Sequence, residues 1–114
     1  MKEKRKWNLK SNKDFSNVYS KGKSKANRQL VMYCIKNDYD QNRVGYSISK
    51  KVGNSIVRNK IKRRLKEIYR LNKSSIKQGY DLVFIVRTGA KKADYKQLED
   101  AFNHLIKISK MKNK

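Results

Sequence analysis

Apolar residues fall along this chain in blocks whose spacing switches between the helical and the strand period. Ser11 opens a capping pattern, SNKD, with Asp14 three residues on. Phe15, Val18 and Tyr19 follow at helical spacing and Gly22 can stop the turn, which predicts a first helix over about 12–20. From Arg28 to Ile35 the pattern alternates: Leu30, Met32 and Cys34 face one way, and Gln29, Val31, Tyr33 and Ile35 the other. This is a strand. NDYDQN (37–42) is rich in turn formers and predicts a hairpin loop. Val44, Tyr46 and Ile48 then alternate with Gly45, Ser47 and Ser49, giving a second strand with one small, polar face. After Gly79, the run Leu82 to Val86 predicts a strand buried on both faces. Asp94 and Gln97 form a second capping pattern, and Tyr95, Leu98, Phe102, Leu105 and Ile106 make the stripe of a last helix.

Between the second and third strands lies VGNSIVRNKIKRRLKEIYR (52–70), where Ile56, Val57, Ile61, Leu65, Ile68 and Tyr69 keep helical spacing. The predicted order is α-β-β-α-β-α, an α+β sandwich with a small sheet covered by helices mainly on one face. No repeat or linker divides the chain, so residues 1–114 read as one domain. The basic ends, 1–10 and 109–114, read as flexible tails, although Trp7 and Leu9 are able to tack the first to the body.

Charge changes this picture most. The chain has 31 Lys and Arg against 9 Asp and Glu, a formal net charge of +22. Self-repulsion on that scale opposes a compact state, and a polyanion would relieve it. Nucleic acid is the first candidate and an anionic membrane surface the second. At one hundred degrees per residue, Val57, Ile61, Leu65, Ile68 and Tyr69 share one sector of the central helix. Asn59, Lys62, Arg63, Lys66 and Arg70 fall in the opposite one, Lys60 and Arg64 flank it, and Arg58 lies near the stripe's edge. Solvated helix faces usually mix signs, with Glu spaced to pair with Lys. Here Glu67 is the only acid, and Lys62–Lys66 and Lys66–Arg70 are repulsive pairs one turn apart. The pattern predicts a nucleic-acid surface, without deciding between RNA and DNA.

Aromatic and reactive residues add less. Phe15, Tyr19 and Tyr33 would line a groove for single-stranded bases if the first helix lies beside an open sheet face; equally, Phe15 and Tyr19 read as core. His104 is the only histidine and reads as a helix-surface residue. Cys34 is the only cysteine, which rules out an intramolecular disulfide. No Cys/His cluster and no glycine-rich phosphate loop is present, so no catalytic constellation emerges. Asp38 and Asp40 sit in a segment better explained as a turn. No apolar run approaches membrane-span length and no secretory h-region follows the charged N-terminus, which reads as cytoplasmic.

SISKKVGNSIV (47–57) followed by RNKIKRR (58–64) resembles the signature of the protein subunit of bacterial ribonuclease P, close to S-K-K-x-G-x-A-V-x-R-N-R-x-K-R. DF at 14–15, ANRQLVMY at 26–33 and the order of elements agree with it. Lys60 stands where arginine is usual and keeps the charge without the planar fork; Ser55 stands where alanine is frequent. The resemblance implies the sandwich shared with a ribosomal protein S5 domain, with a left-handed β-α-β crossover through the basic helix. It implies 5′-end maturation of precursor tRNA, with a Mg²⁺-dependent RNA subunit as the catalyst. Carried over by position, Ser49, Lys50, Lys51, Arg58, Asn59, Lys60, Lys62, Arg63, Arg64, Lys66 and Arg70 would meet the RNA subunit. Phe15, Tyr19, Asn27, Arg28 and Tyr33 would hold the precursor's 5′ leader. The alternative is a structural RNA-binding protein, ribosomal or chaperone-like.

Overall fold

The computed structural model describes residues 8, 9 and 11–113. Its elements are α1 (Asn12–Lys21), β1 (Lys23–Ala26), β2 (Leu30–Lys36), β3 (Arg43–Ile48), α2 (Ser55–Asn72), β4 (Tyr80–Val86) and α3 (Tyr95–Ile108), with 3-10 turns at Lys73–Ser75 and Thr88–Ala90. The caps fall where the sequence put them. Ser11 Oγ accepts from the Asp14 N–H at 3.0 Å, and Asp94 with Gln97 forms a complete capping box. The fold is α+β with a mixed sheet, as expected, but three features differ from the sequence reading.

First, there is a fourth strand. β1 reads KSKA, all four residues are exposed, and it pairs antiparallel with β2 at the sheet edge. A strand that buries nothing leaves no hydrophobic signature; charged lysines also suit an edge that must not recruit another chain. Second, residues 37–42 are not a hairpin. The strand order is β1-β2-β4-β3, so β4 lies between β2 and β3, antiparallel to the first and parallel to the second. Turn-forming residues signal a change of direction, not which strand becomes the neighbour.

β4 is the central strand and is dry on both faces, as its apolar run required. On one face Leu82, Phe84 and Val86 join Leu30 and Met32 under α2 and α3, which contribute Ile61, Leu65 and Ile68, and Leu98, Phe102 and Leu105. Phe84 stacks between Tyr46 and Phe102, with ring centroids at 5.9 and 5.0 Å. On the other face Val83 meets Val18 of α1 and Leu9, with Phe15, Tyr33, Ile35 and Ile85 half-buried around them. Leu9 is tied to the β3 edge by its N–H donating to Val44 O at 2.9 Å, so it does tack the N-terminal segment. Trp7 lies outside the described residues.

The crossing of 37–42 past the end of β4 is held by a buried polar junction. Asn42 and Asp81 are the buried polar side chains of the described core. Asn42 Nδ2 donates to Lys77 O at 2.8 Å and to the Tyr69 hydroxyl at 3.2 Å, while its Oδ1 accepts from Tyr80 N–H at 2.8 Å. Asp81 accepts from Arg43 Nε and Nη2 at 2.9 and 2.7 Å, and from Asn37 Nδ2 at 2.9 Å. Every buried side-chain polar atom among the described residues has a partner.

Third, residues 109–113, expected as a flexible tail, pack instead. Helix α3 closes in a Schellman motif: Met111 N–H donates to Ile106 O at 3.0 Å and Lys110 N–H to Lys107 O at 3.1 Å. Lys110 takes the left-handed position at φ 58°, which a non-glycine residue adopts at roughly 1 kcal/mol extra. Met111 is then 2 % exposed, and Asn113 N–H donates to Ser75 O at 2.7 Å. The tail carries one apolar residue among lysines, too little for a periodic pattern to flag.

Two predictions follow from packing. Asp81→Ala strands Arg43 and Asn37, and urea unfolding should show a loss of about 3 kcal/mol, the low end for a broken buried pair because Arg43 keeps some contact with water. Cys34 packs against Met111 with Sγ–Sδ at 3.6 Å, and burial pushes its thiol up to about 11. At pH 8 the folded protein should therefore be alkylated on the order of a hundredfold more slowly than the unfolded chain, with the rate still climbing above pH 9.

Candidate nucleic-acid interface

Helix α2 begins in a tight loop. Val52 N–H donates to Ser49 O at 3.1 Å and Gly53 N–H to Lys50 O at 3.2 Å, leaving Ser49, Lys50 and Lys51 exposed at the head of the helix. A Cβ on Gly53 would sit 2.8 Å from Val57 Cγ1, so this approach needs glycine. Asn54 Oδ1 caps the first turn by accepting from Val57 N–H at 2.9 Å. The helix then divides as its periodicity required. Ile61, Leu65 and Ile68 are buried and Val57 and Tyr69 half-buried, while Asn59, Lys60, Lys62, Arg63 and Lys66 face solvent. Ile56 is the exception: spaced with the apolar residues, it is 76 % exposed, since it lies a full residue's rotation off the buried stripe.

Not every cation on this face is equally available. Arg58 is half-buried and its Nε donates to Gly53 O at 3.1 Å, which holds it against the loop. Arg70 makes a two-pronged pair with Glu67, Nε–Oε1 3.0 Å and Nη2–Oε2 2.7 Å, and holds that carboxyl below the usual carboxylate range. Lys60, Lys62, Arg63 and Lys66 have no carboxylate within ion-pair distance among the described residues.

The aromatic residues lie where α1 crosses the less covered sheet face. Phe15 and Tyr19 are 6.2 Å apart between centroids, and Tyr19 meets Tyr33 edge-on at 5.1 Å. Phe15 lies directly over Gly45, where a Cβ would come within 2.7 Å of its Cζ. The rings are neither wholly core nor wholly free: Phe15 and Tyr33 have one side in the small core, and Tyr19 is 38 % exposed. Arg28 is exposed in the turn between β1 and β2, against Gly89. Asn27 is not available. Its Oδ1 accepts from Leu30 N–H at 2.9 Å and Gln29 N–H at 3.2 Å, and its Nδ2 reaches Ala101 O at 2.9 Å and His104 Nδ1 at 3.1 Å. That consumes the amide's bonding capacity and pins the β1–β2 turn to α3.

The sequence kept the cationic helix and the aromatic groove apart; the fold joins them. Phe15 of α1, Tyr46 of β3, and Lys62 and Lys66 of α2 line one cleft of about 320 Å³ with Leu9 and Val44. Tyr46 was legible only as a core-facing strand residue. Among the described residues, no three His, Cys, Asp or Glu side chains gather into a metal-ligand set, and no helix is long and apolar enough to cross a membrane.

A helix face that is cationic apart from Glu67, set beside aromatic rings, is the surface of a nucleic-acid-binding α+β protein. The comparisons make this specific. Residues 3–110 match the family model described as ribonuclease P. The chain is 50 % identical over 103 residues to the ribonuclease P protein component of Alkaliphilus metalliredigens, covering 90 % of this chain and 93 % of that one. It is 53 % identical over 100 residues to that of Clostridium botulinum, covering 87 % and 90 %. It superposes on the RNase P protein of Staphylococcus aureus with a TM-score of 0.89 at 41 % identity, covering 94 % of this chain and 98 % of that one. The chain belongs to the ribonuclease P protein family. It is a subunit of the ribonucleoprotein that processes tRNA 5′ ends, and the ribonuclease P RNA is its partner.

The Arg70–Glu67 pair generates a prediction. Arg70→Ala should weaken binding of the RNA subunit less than Arg63→Ala, because Arg70 already has a counter-charge. Filter binding across a salt series should show a slope flattened by about one unit for Arg63→Ala and less for Arg70→Ala.

Proposed function

We propose that this protein grips two polynucleotides at once. The face of α2, from Ser49, Lys50 and Lys51 through Arg58, Asn59, Lys60, Lys62, Arg63, Arg64 and Lys66, meets the catalytic RNA, with Arg70 at its end. The groove of Phe15, Tyr19 and Tyr33, with Arg28 of the β1–β2 turn, takes the single-stranded 5′ leader of precursor tRNA. Asn27 serves this groove indirectly, by fixing the turn that leads into β2. The observation that supports the reading is the shared cleft, where Lys62 and Lys66 stand opposite Phe15. A leader strand stacked on the rings and the catalytic RNA on α2 then meet at this cleft, with Lys62 and Lys66 between their phosphates.

Stacking is nearly independent of sequence and contributes about 1–3 kcal/mol per base. The protein thereby favours precursor over product, since only the precursor has a leader. Bond cleavage belongs to the RNA subunit with its Mg²⁺; the described residues of this chain offer no group of three His, Cys, Asp or Glu for the ion. Lowering phosphate repulsion should reduce the Mg²⁺ that the assembly requires. A cytoplasmic location goes with this role.

The test is reconstitution of the full chain with its RNA subunit and labelled precursor tRNA at low Mg²⁺. The protein should raise both cleavage rate and precursor affinity. Phe15→Leu, which keeps apolar volume over Gly45, and Tyr33→Ala should each weaken precursor binding roughly tenfold and leave mature tRNA binding unchanged. Equal losses for both ligands would return these rings to the core alone.

A further inference from the structure

A second cationic concavity lies at the β1 edge. In the β1–β2 ladder Lys23 pairs with Cys34 and Lys25 with Met32, so both lysines share the sheet face of those two residues, opposite to the face of Tyr33. β1 pairs no further than Cys34, which leaves Ile35 and Lys36 beyond its end. The space there is a cavity of about 560 Å³, within the usual range for ligand sites. Lys21, Lys23, Lys25, Lys36 and Lys110 rim it. Cys34, Tyr80 and Met111 supply an apolar floor, and no carboxylate lines it among the described residues. Like charges gathered around a low-dielectric concavity reinforce one another's field, and an anion is what such a field draws in.

The backbone gives an independent indication. Lys110 holds the left-handed position that ends α3, where glycine is the unstrained choice. A lysine there is less favourable for folding, yet it sets an ammonium on the cavity rim, and the turn it makes returns Met111 to the floor. An unfavourable conformation of this kind, beside a concave cationic site, points to use of the side chain.

The chemistry fits a nucleotide of single-stranded RNA: base against tyrosine and the soft thioether, phosphates against the lysines. Position decides which RNA. Tyr19 of the aromatic groove and Lys21 of the cavity rim are two residues apart at the end of α1, and Ile35 belongs to the small core beneath the groove and to the cavity wall. The cationic face of α2 borders β3, at the opposite edge of the sheet. A strand leaving the rings past the end of α1 therefore reaches this cavity, while the catalytic RNA lies across the molecule from it. We infer that the β1-edge cavity is a second leader site, taking the stretch of precursor tRNA beyond the nucleotides stacked on Phe15, Tyr19 and Tyr33. This rests on the leader-binding reading above.

The experiment uses the full chain reconstituted with its RNA subunit and two precursors, one with a leader that fills only the rings and one several nucleotides longer. The variants are Lys23→Ala with Lys25→Ala, and Lys110→Gly, whose glycine suits the backbone and so keeps the fold. The longer leader should bind the wild type more tightly than the shorter. Both variants should lose that gain, with short-leader affinity unchanged. For the double variant the salt slope on the long leader should flatten by about 1.4, at ~0.7 per single-strand phosphate contact. Equal loss on both leaders would reduce the lysines to bulk charge and overturn the inference. So would an undiminished gain, and so would weakened binding of the RNA subunit alone, which would give the cavity to the catalytic RNA. If the wild type fails to prefer even the short-leader precursor over mature tRNA, the leader reading itself falls, and this site with it.

Discussion

The apolar run of β4 must be kept dry on both faces, and the two faces are covered unequally. Eighteen residues of α2 and fourteen of α3 close one side. The other side has ten residues of α1 and the edge contact from Leu9. Val18 and Val83 are sealed, but Phe15, Tyr19 and Tyr33 are left with one surface in the core and another toward solvent. The open groove is what a small chain leaves when it spends two helices on one face. Gly45 completes it from below: only a residue without a Cβ lets the tip of the Phe15 ring close on β3.

Charge is distributed by the same economy. The few acids serve mainly as structural partners. Asp81 orders the strand junction through Arg43 and Asn37, Asp94 caps α3, and Glu67 restrains Arg70. Little negative charge remains to offset the lysines and arginines of α2, so that helix packs through its apolar stripe and presents nearly bare cations on the reverse. Where such a face meets a polyanion, counterion release makes the affinity strongly dependent on salt.

The sequence was most legible where burial enforces a period. α2, α3 and β4 each carry a dense apolar pattern; β4 lies within a residue of its expected place, and both helices bury the stripe expected of them. β1 was invisible because KSKA buries nothing; its existence depends on β2 offering a free edge. The misread hairpin has a related cause, since Asn37 and Asn42 look like turn residues but act as hydrogen-bond hubs for β4. Asn27 fell within a recognisable motif, and its amide bonds to Ala101, His104 and the turn backbone were set by tertiary contact, which no local pattern records. The nearness of Lys62 to Phe15 was likewise a property of the crossover and not of spacing along the chain.

The position of β4 at the centre of the sheet also orders events during synthesis. β2 and β3 make no ladder with each other; each pairs with β4 across the middle of the sheet, and β2 has only the short edge strand β1 on its other side. Until residues 80–86 emerge from the ribosome, both strands lack their central partner, and α2 has no completed surface on which to lay its apolar stripe. Long-range pairing of this kind is slow to form. A half-made chain of this protein is thus a strongly cationic segment that cannot yet close its sheet, and residues 80–86 are what complete it.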